Sequence, residues 1–473
     1  MDRHRAALLL SASALLLGIS GDLLLRWIPW GLNVPIWTAI LVALSMFCSV
    51  RTQRPIDLFP AVCALAAAAG IAWRDSPILR GLDVLLLLVF IPMLALRARG
   101  VRLAAAGLSD VGVALATTGI QTVAGFPQLV FADVSWSEMP RGGRLRAGGV
   151  VARGVAIAAP ALILFAALLM SADAAFAKLM EDLFFFKVSD AVLHVIVSIV
   201  LSAISAGFLR SLFFSGEMIR IPRPSFLALP AAEVSIALAL LNLLFATFVT
   251  MQFRYFFLIT NPASLSQYAR RGFFELVLVV ALVLPMLLAA DWLVKTKNRL
   301  FRILSLVQVA LVLVIAASAY RRMQLYRDEF GLTEQRFYTT AFMIWLAVLL
   351  LWFVATVLTG QRARFALGAF ATGAAAVVVL HAINPDALIV RTNLARTAAG
   401  RRAFDAVYAS RLSDDAAPVI LANRAAFAAH PDALRRFVAR PRSIGWRTWN
   451  LSRARAIDLV SRYESNATPP MPR

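Results

Sequence analysis

The sequence is poor in cysteine and histidine, and it carries few charges of either sign. Only two cysteines are present, Cys48 and Cys63, and both lie inside apolar runs. They predict neither a disulfide framework nor a zinc site, because zinc usually takes four closely placed ligands. Charged residues make up 15% of the chain, against about 25% in soluble domains. This low charge content excludes an ordinary soluble domain.

Catalytic and cofactor motifs are lacking as well. The sequence contains no HExxH helix, no paired aspartates at catalytic spacing and no phosphate-binding loop. His194 and His381 lie in apolar segments where no facing carboxylate or thiolate stands at ligand spacing. We therefore predict no catalytic residue, no cofactor and no metal site. An intramembrane enzyme remains a distant alternative.

Apolar residues are abundant, at 60% of the chain with a mean hydropathy of +0.77. A helix needs about 20 largely apolar residues to cross roughly 30 Å of hydrocarbon. The pattern therefore predicts an all-α polytopic transmembrane helix bundle. The predicted spans, eleven by this count, cover residues 6–25, 32–50, 57–73, 79–96, 150–170, 190–214, 233–257, 273–293, 301–319, 338–359 and 365–383.

Residues 103–131 are moderately apolar but interrupted by polar residues, glycine and proline. Their placement decides the topology, since cytoplasmic loops of membrane proteins are enriched in Lys and Arg. If the segment does not span and the N-terminus is cytoplasmic, 20 of the 32 cations before residue 384 lie inside and 12 outside; if it spans, each side holds 16. The bias favours an interfacial or re-entrant segment, a cytoplasmic N-terminus and an extracytoplasmic C-terminal region.

The formal net charge of +21 would suggest a nucleic-acid partner in a soluble protein. Because 32 of the 47 Lys and Arg residues lie before residue 384, mostly between apolar segments, we interpret the charge as a topological signal and predict no nucleic-acid partner. Residues 384–465 are predicted to form a C-terminal helical domain, with helix starts at Asn384-Pro385-Asp386 and His430-Pro431-Asp432. Residues 466–473 are predicted to be a disordered tail.

Two polar stretches beside strongly predicted spans form the candidate functional cluster. One runs from residue 242 to 275 and the other from 320 to 338. Residues 254–275 and 320–338 are predicted to lie with the C-terminal domain on one outer face. Ionisable residues at membrane depth are costly and usually face the protein interior. In the alternative, the arginines only reach to the membrane surface and Glu275 only pairs with an arginine. The candidate residues are Asn242, Thr250, Arg254, Tyr268, Arg270, Arg271, Glu275, Arg327, Asp328, Glu329, Thr333 and Arg336.

Five stretches resemble a known family. They are YARRGFFEL (268–276), FGLTEQRFY (330–338), NPDALIVRTNLAR (384–396), LSDDAAPVIL (412–421) and WNLSRARA (449–456). Together they resemble a bacterial multi-pass membrane family catalogued as a domain of unknown function, number 4173, with a close relative numbered 4153. The resemblance covers roughly residues 140–456. It implies a many-helix inner-membrane fold with a polar C-terminal region, and it implies no assigned activity.

Two classes of function remain open. A transporter or channel for a solute or ion would line a path with residues such as Asn242, Thr250 and Arg254. A membrane scaffold, sensor or assembly factor would present its outer polar face to another membrane or envelope protein or to anionic lipid. The small number of charges at mid-membrane favours the second class. We therefore predict a bacterial inner-membrane protein of that class, embedded in the lipid bilayer.

Overall fold

The computed structural model describes residues 2–135, 188–214, 229–258, 273–294, 298–401, 403–442 and 444–467, with a few isolated residues between 165 and 179. The regular secondary structure in these ranges is helical. Within these described ranges, nine helices are long and apolar enough to cross a membrane. The prediction of an all-α polytopic helix bundle is confirmed. The predicted span 150–170 lies outside the residues described, apart from isolated positions.

Eleven helices make up the described part of the bundle. They are α1 (Arg3–Leu25), α2 (Asn33–Thr52), α3 (Leu58–Trp73), α4 (Pro77–Met93), α5 (Leu108–Gln128), α6 (Val188–Phe213), α7 (Ala231–Leu258), α8 (Phe273–Leu293), α9 (Arg299–Phe330), α10 (Glu334–Thr356) and α11 (Ala363–Ile383). A short turn, Ala95–Ala98, extends α4. Helix α3 is apolar but shorter than the nine candidate spans, and α5 is not among them.

The bundle has two ends, which ion pairs between α1 and α6 define. Asp22 near the end of α1 contacts His194 near the start of α6, at 2.5 Å. At the opposite end, Arg3 and Arg210 both pair with Asp133, at 2.6 and 2.5 Å. Helices α1 and α6 are therefore antiparallel. We call the end that holds Arg3 the N-terminal end and the other the C-terminal end.

Helix α5 begins and ends at the N-terminal end of the bundle. Leu108, its first residue, lines the same cavity as Arg362, which precedes α11. Helix α11 reaches the other end of the bundle, where its His381 carbonyl accepts a hydrogen bond from Arg74. Asp133, just beyond the end of α5, pairs with Arg3. These contacts join both ends of α5 to the N-terminal end, and the assignment of residues 103–131 as an interfacial or re-entrant segment stays a prediction.

The middle of α5 is fixed against its neighbours by close backbone packing and by one buried arginine. A Cβ atom at Gly207 of α6 would collide with the carbonyl group of Thr122, so only glycine permits this approach. Arg99, which follows α4, donates hydrogen bonds to Thr117 at 2.7 Å and to Gln121 at 2.6 Å. These contacts hold α5 across the ends of α4 and α6.

The outward faces of the spans are strongly apolar. On α7, Leu240, Leu243 and Leu244 are each more than 60% exposed. A soluble monomer rarely exposes a contiguous apolar surface of this kind. The bundle interior is apolar as well, with Phe90, Phe301 and Phe353 fully buried. Lipid is therefore the natural environment of the outer face.

The C-terminal domain is a small helical unit with its own core. It comprises α12 (Pro385–Ala398), α13 (Pro431–Val438) and α14 (Leu451–Ala467), together with the short helices Ala406–Ala409 and Ala417–Ala422. Its buried residues include Ile389, Ile420 and Phe437. Helix α14 continues through residues 466 and 467, which the sequence predicted to belong to the tail; residues 468–473 lie outside those described.

Candidate functional site

The C-terminal domain donates hydrogen bonds to the last carbonyls of α3. The Asn450 side-chain amide donates to the carbonyls of Ile71 and Arg74, both at 2.9 Å. The Ser452 hydroxyl donates to the Trp73 carbonyl at 3.1 Å. The last carbonyls of a helix have no partner within that helix and need one from elsewhere. Residues of α14 and the loop before it therefore act as the C-terminal cap of a bundle helix.

The loop between α3 and α4 is bonded to the same domain. The backbone amides of Asp75 and Ser76 donate to the Asp415 carboxylate at 3.0 and 2.9 Å. The Asp75 carboxylate in turn pairs with Arg453 at 2.6 Å and with Arg80 at 2.9 Å. Opposite charges thus alternate between the loop and the domain, and these bonds hold the loop against the domain.

Two buried carboxylates lie close together at this junction. Asp386 accepts hydrogen bonds from the amide and the hydroxyl of Ser413. Burial raises the pKa of Asp386 to about 6, the Ser413 hydrogen bonds oppose that rise, and the carboxylates of Glu334 and Asp415 add to it. Burial also raises the pKa of Asp415, against the hydrogen bond from Ser452. The junction therefore concentrates negative charge in a site with little access to water.

The turn between α9 and α10 docks on α12. The Asn393 side chain accepts from the Leu332 amide at 2.8 Å and donates to the Leu332 carbonyl at 2.9 Å. Arg396 donates to the carbonyls of Asp328 and Glu329, at 2.7 and 3.0 Å. The final carbonyls of α9 therefore find their partners in the C-terminal domain, as those of α3 do.

The predicted residues of the 320–338 stretch lie at this contact. Arg336 donates to two carbonyls at the end of α9, and its guanidinium carbon lies 4.3 Å from the Tyr326 ring centroid. Thr333 occupies the N-cap position of α10, but its side chain makes no capping hydrogen bond. Arg327 and Asp328 are 3.9 Å apart. Arg336 and Arg327 thus bond within this turn, whereas the Asp328 carboxylate pairs with Arg401 of the domain at 3.7 Å.

The predicted residues between 242 and 275 lie elsewhere or outside the described ranges. Asn242 is buried and donates to the Leu304 carbonyl of α9 at 3.0 Å. Leu304 precedes the last residue of α9 by 26 positions, or roughly 39 Å at 1.5 Å per residue. Thr250 is exposed, and it bonds only to its own helix. Glu275 is exposed on the first turn of α8. Tyr268, Arg270, Arg271 and the Arg254 side chain are not among the described positions.

Two histidine–aspartate pairs lie within the bundle, so the expectation that no carboxylate faces these histidines is wrong. His381 contacts Asp83 at 3.0 Å with both side chains buried, and its ring stacks on Trp73. His194 contacts Asp22, and its side chain is 43% exposed. The partners are 298 and 172 residues apart in sequence, which is why sequence spacing did not reveal them. In the described part of the chain, no group of three or more His, Cys, Asp or Glu could hold a metal ion.

Sequence reasoning about candidate sites overlooked most of the junction. Three of the stretches that carry the family resemblance supply most of its residues: NPDALIVRTNLAR, LSDDAAPVIL and WNLSRARA. The polar residues inside these apolar stretches were the available signal. The overlooked residues are Asp75, Ser76, Asp386, Ser413, Asp415, Asn450, Ser452 and Arg453.

One family model matches the chain. It describes a domain of unknown function, DUF4153, and it matches residues 61–423, which is more than half of the sequence. The family number 4153 is therefore the correct one, and 4173 is wrong. The match begins within α3 and ends before the WNLSRARA stretch. No curated protein matches the chain, and no solved structure does.

Proposed function

We propose that this chain, which belongs to the DUF4153 family, is a membrane scaffold, sensor or assembly factor that holds its C-terminal domain rigidly against one end of an integral membrane helix bundle. The observation that carries the proposal is the capping of bundle helices by that domain. A protein of this class needs a surface of fixed position and does not need a moving pathway.

The domain is bonded to helices from distant parts of the bundle. The amides of Leu32 and Asn33, at the start of α2, donate to the carbonyls of Trp449 and Arg447, both at 2.8 Å. The same domain caps α3 through Asn450 and receives the α9–α10 turn. It therefore ties the first four helices to the last three.

This connection opposes the movements of a transporter. Alternating access moves one group of helices against another around a central site. Each intramolecular hydrogen bond contributes about 0.5–1.5 kcal/mol, so a movement that separates the domain from either group loses several kcal/mol. Asn242, which the sequence suggested as a path-lining residue, donates a hydrogen bond to the Leu304 carbonyl of α9. These contacts favour the scaffold class.

The orientation follows from the distribution of cations. Among the described cations before residue 384, helix direction places Arg3, Arg5, Arg51, Arg54, Arg97, Arg99, Arg102, Arg210, Arg299, Arg302, Arg362 and Arg364 at the N-terminal end and Arg26, Arg74, Arg80, Arg321, Arg322, Arg327 and Arg336 at the C-terminal end. Cytoplasmic loops hold the excess of cations. The N-terminal end therefore faces the cytoplasm of a bacterial inner membrane, and the C-terminal domain lies outside.

The partner is a membrane or envelope protein with an acidic surface. Residues 384–473 hold 15 arginines against 7 aspartates and glutamates, and complementary charge steers association. Arg424 and Arg435 are among the exposed cations of the domain. They are suitable positions for a photo-activatable cross-linker, because neither supports the junction described above.

The test combines reconstitution with cross-linking. Purified protein in liposomes is expected to move no ion or solute across a broad panel, and saturable flux would overturn the scaffold. In cells, a cross-linker at residue 435 is expected to capture one defined acidic envelope protein. The Ser452→Ala variant should lower that yield, while Ser461→Ala on the same helix should not, since Ser461 is exposed and bonds only to α14.

Proton-coupled transport is the second candidate, and the histidine–aspartate pairs favour it. Ionisable residues inside a membrane often mark proton or ion pathways. This function predicts proton flux into liposomes that Asp83→Asn abolishes and that Asp458→Asn, at an exposed position of α14, leaves unchanged. Failure to detect any such flux would leave the scaffold as the remaining function.

A further inference from the structure

Large apolar side chains are exposed where α1 ends and α2 begins. Trp27 is 50% exposed and Ile28 79%. The adjacent loop of the C-terminal domain adds Trp446, at 62%, and Trp449, at 37%. Together with Arg447 these residues form a surface that we call the aromatic patch. It lies at the level of the ends of two bundle helices, and therefore at the edge of the bilayer.

The loop of the patch is held against the bundle. The carbonyls of Arg447 and Trp449 accept the first amides of α2. A Cβ atom at Gly31 would collide with the carbonyls of Thr448 and Trp449. The loop and the α1–α2 turn are therefore in direct backbone contact. The exposed tryptophans belong to a fixed surface and not to an independent loop.

Arg447 lies between two indole rings. Its guanidinium carbon is 5.2 Å from the Trp27 ring centroid and 5.0 Å from that of Trp446. No carboxylate within the described ranges forms an ion pair with it, and its buried Nε has no hydrogen-bond partner there. Two aromatic faces position the guanidinium, and no carboxylate of the described ranges neutralises its charge.

We propose that the aromatic patch inserts into the headgroup region of the bilayer and that Arg447 binds the phosphate of an anionic phospholipid. Tryptophan is enriched at the membrane–water interface, where its ring is apolar and its N–H stays hydrated. A guanidinium matches the oxygens of a phosphate with paired hydrogen bonds. Lipid of the leaflet at the C-terminal end is thus the occupant. The inference does not depend on whether the protein is a scaffold or a transporter.

The first experiment locates the patch. Ile28→Cys carries a bimane fluorophore in the full-length protein, reconstituted in vesicles of phosphatidylglycerol and phosphatidylcholine. The two native cysteines are buried, which makes labelling selective. Lipid with a spin label near the glycerol backbone is expected to quench the fluorophore, and aqueous iodide is expected to quench it weakly. A fluorophore at Arg435→Cys, on the exposed face of α13, should show the reverse. If neither quencher reaches residue 28, a protein covers the patch and the proposal is wrong.

The second experiment tests the anion. Native mass spectrometry of delipidated protein titrated with either lipid gives the preference for phosphatidylglycerol. Arg447→Gln is expected to lower that preference about fivefold, since one cation near the surface contributes about 1 kcal/mol toward anionic lipid. Arg435→Gln should not change it.

Two further arms keep the second experiment decisive. Arg447→Lys retains the charge and should restore part of the preference. An unchanged melting temperature in Arg447→Gln separates lipid binding from folding. If inorganic phosphate displaces the lipid from the wild-type protein, the site binds free phosphate and the proposal fails. An unchanged lipid preference in Arg447→Gln would contradict it as well.

Discussion

The two ends of the bundle are held together by different means. At the N-terminal end, side chains pair with side chains, as Asp133 does with Arg3 and Arg210. At the C-terminal end, side chains of a separate domain bond to backbone groups at helix ends, as Asn450 does with α3. Ion pairs fix the position of one element each, whereas the domain fixes several helices at once. The C-terminal end is therefore expected to be more sensitive to a single substitution.

The largest effect is expected for Asn450→Ala. Asn450 is fully buried, donates to two carbonyls and accepts from the Arg453 amide at 3.0 Å. Its loss leaves these groups without partners, at about 3 kcal/mol. The midpoint of thermal unfolding and the protease resistance of the C-terminal domain measure the change.

Asn423→Ala is the matched control for this variant. Asn423 is exposed, and its side chain donates only to the Val419 carbonyl of the short helix that precedes it, at 2.8 Å. It should cost well under 1 kcal/mol. Equal effects of the two substitutions would show that the domain does not depend on capping the bundle, and the contrast between the two ends would disappear.

A smaller effect is expected for Asp133→Asn at the N-terminal end. The Asp133 side chain is fully buried and Arg210 nearly so, whereas Arg3 is 69% exposed. Removing one partner of a buried ion pair can cost 3–5 kcal/mol, but the exposure of Arg3 reduces the expected loss to about 2 kcal/mol. Thermal unfolding of the purified protein measures it. Asp57→Asn, whose partner Arg97 is half-exposed, should change little; a larger loss there would contradict the prediction.

The smallest effect is a pH dependence at the C-terminal end. The pKa of Asp386 is about 6 in the folded protein, against about 3.9 in an unfolded chain. A raised pKa stabilises the fold fully below the unfolded value, and that stability is lost as pH rises through 6. Docking of the domain is therefore weaker at pH 7.5 than at pH 5.

Asp386→Asn removes that titration. It is expected to stabilise the protein by about 1 kcal/mol at pH 7.5. This gain is smaller than the roughly 2.7 kcal/mol that a pKa shift of about two units represents, because the new amide N–H meets no acceptor. The difference in melting temperature between pH 5 and pH 7.5 measures it. Asp458→Asn on the exposed face of α14 serves as control. A wild-type protein that is more stable at pH 7.5 would contradict the sign.

Hydropathy predicted the apolar parts of the helices described here but not the helix lengths. The predicted span 301–319 stops where the apolar run stops, whereas α9 continues to Phe330. The additional turns meet the C-terminal domain, where Arg396 donates to the main-chain carbonyls of Asp328 and Glu329. Local chemistry did suffice for the start of α12, where Asn384 caps the helix and Pro385 occupies its first turn. The sequence thus predicted a helix start that depends on one turn, but it did not predict a helix end that depends on tertiary contacts.

The polar junction could not be predicted from the sequence, for the same reason. Asp415 and Asp75 are separated by 340 residues, and no periodicity relates them. The arginines of the 320–338 stretch stood out because their number exceeded what a turn requires. The sequence therefore indicated that this turn has a partner, but it could not say that the partner was α12.

The capping of α3 by Asn450 also has a consequence for biogenesis. The two residues that meet, Ile71 and Asn450, are 379 positions apart. At about 5–20 residues per second, the ribosome needs roughly 20–75 s to make the intervening chain. During that time the last carbonyls of α3 have no hydrogen bond from Asn450. A chain interrupted before Asn450 would keep a hydrated, uncapped helix end in every copy. Capping of α3 therefore requires that synthesis proceed past Asn450, long after α3 itself has been made.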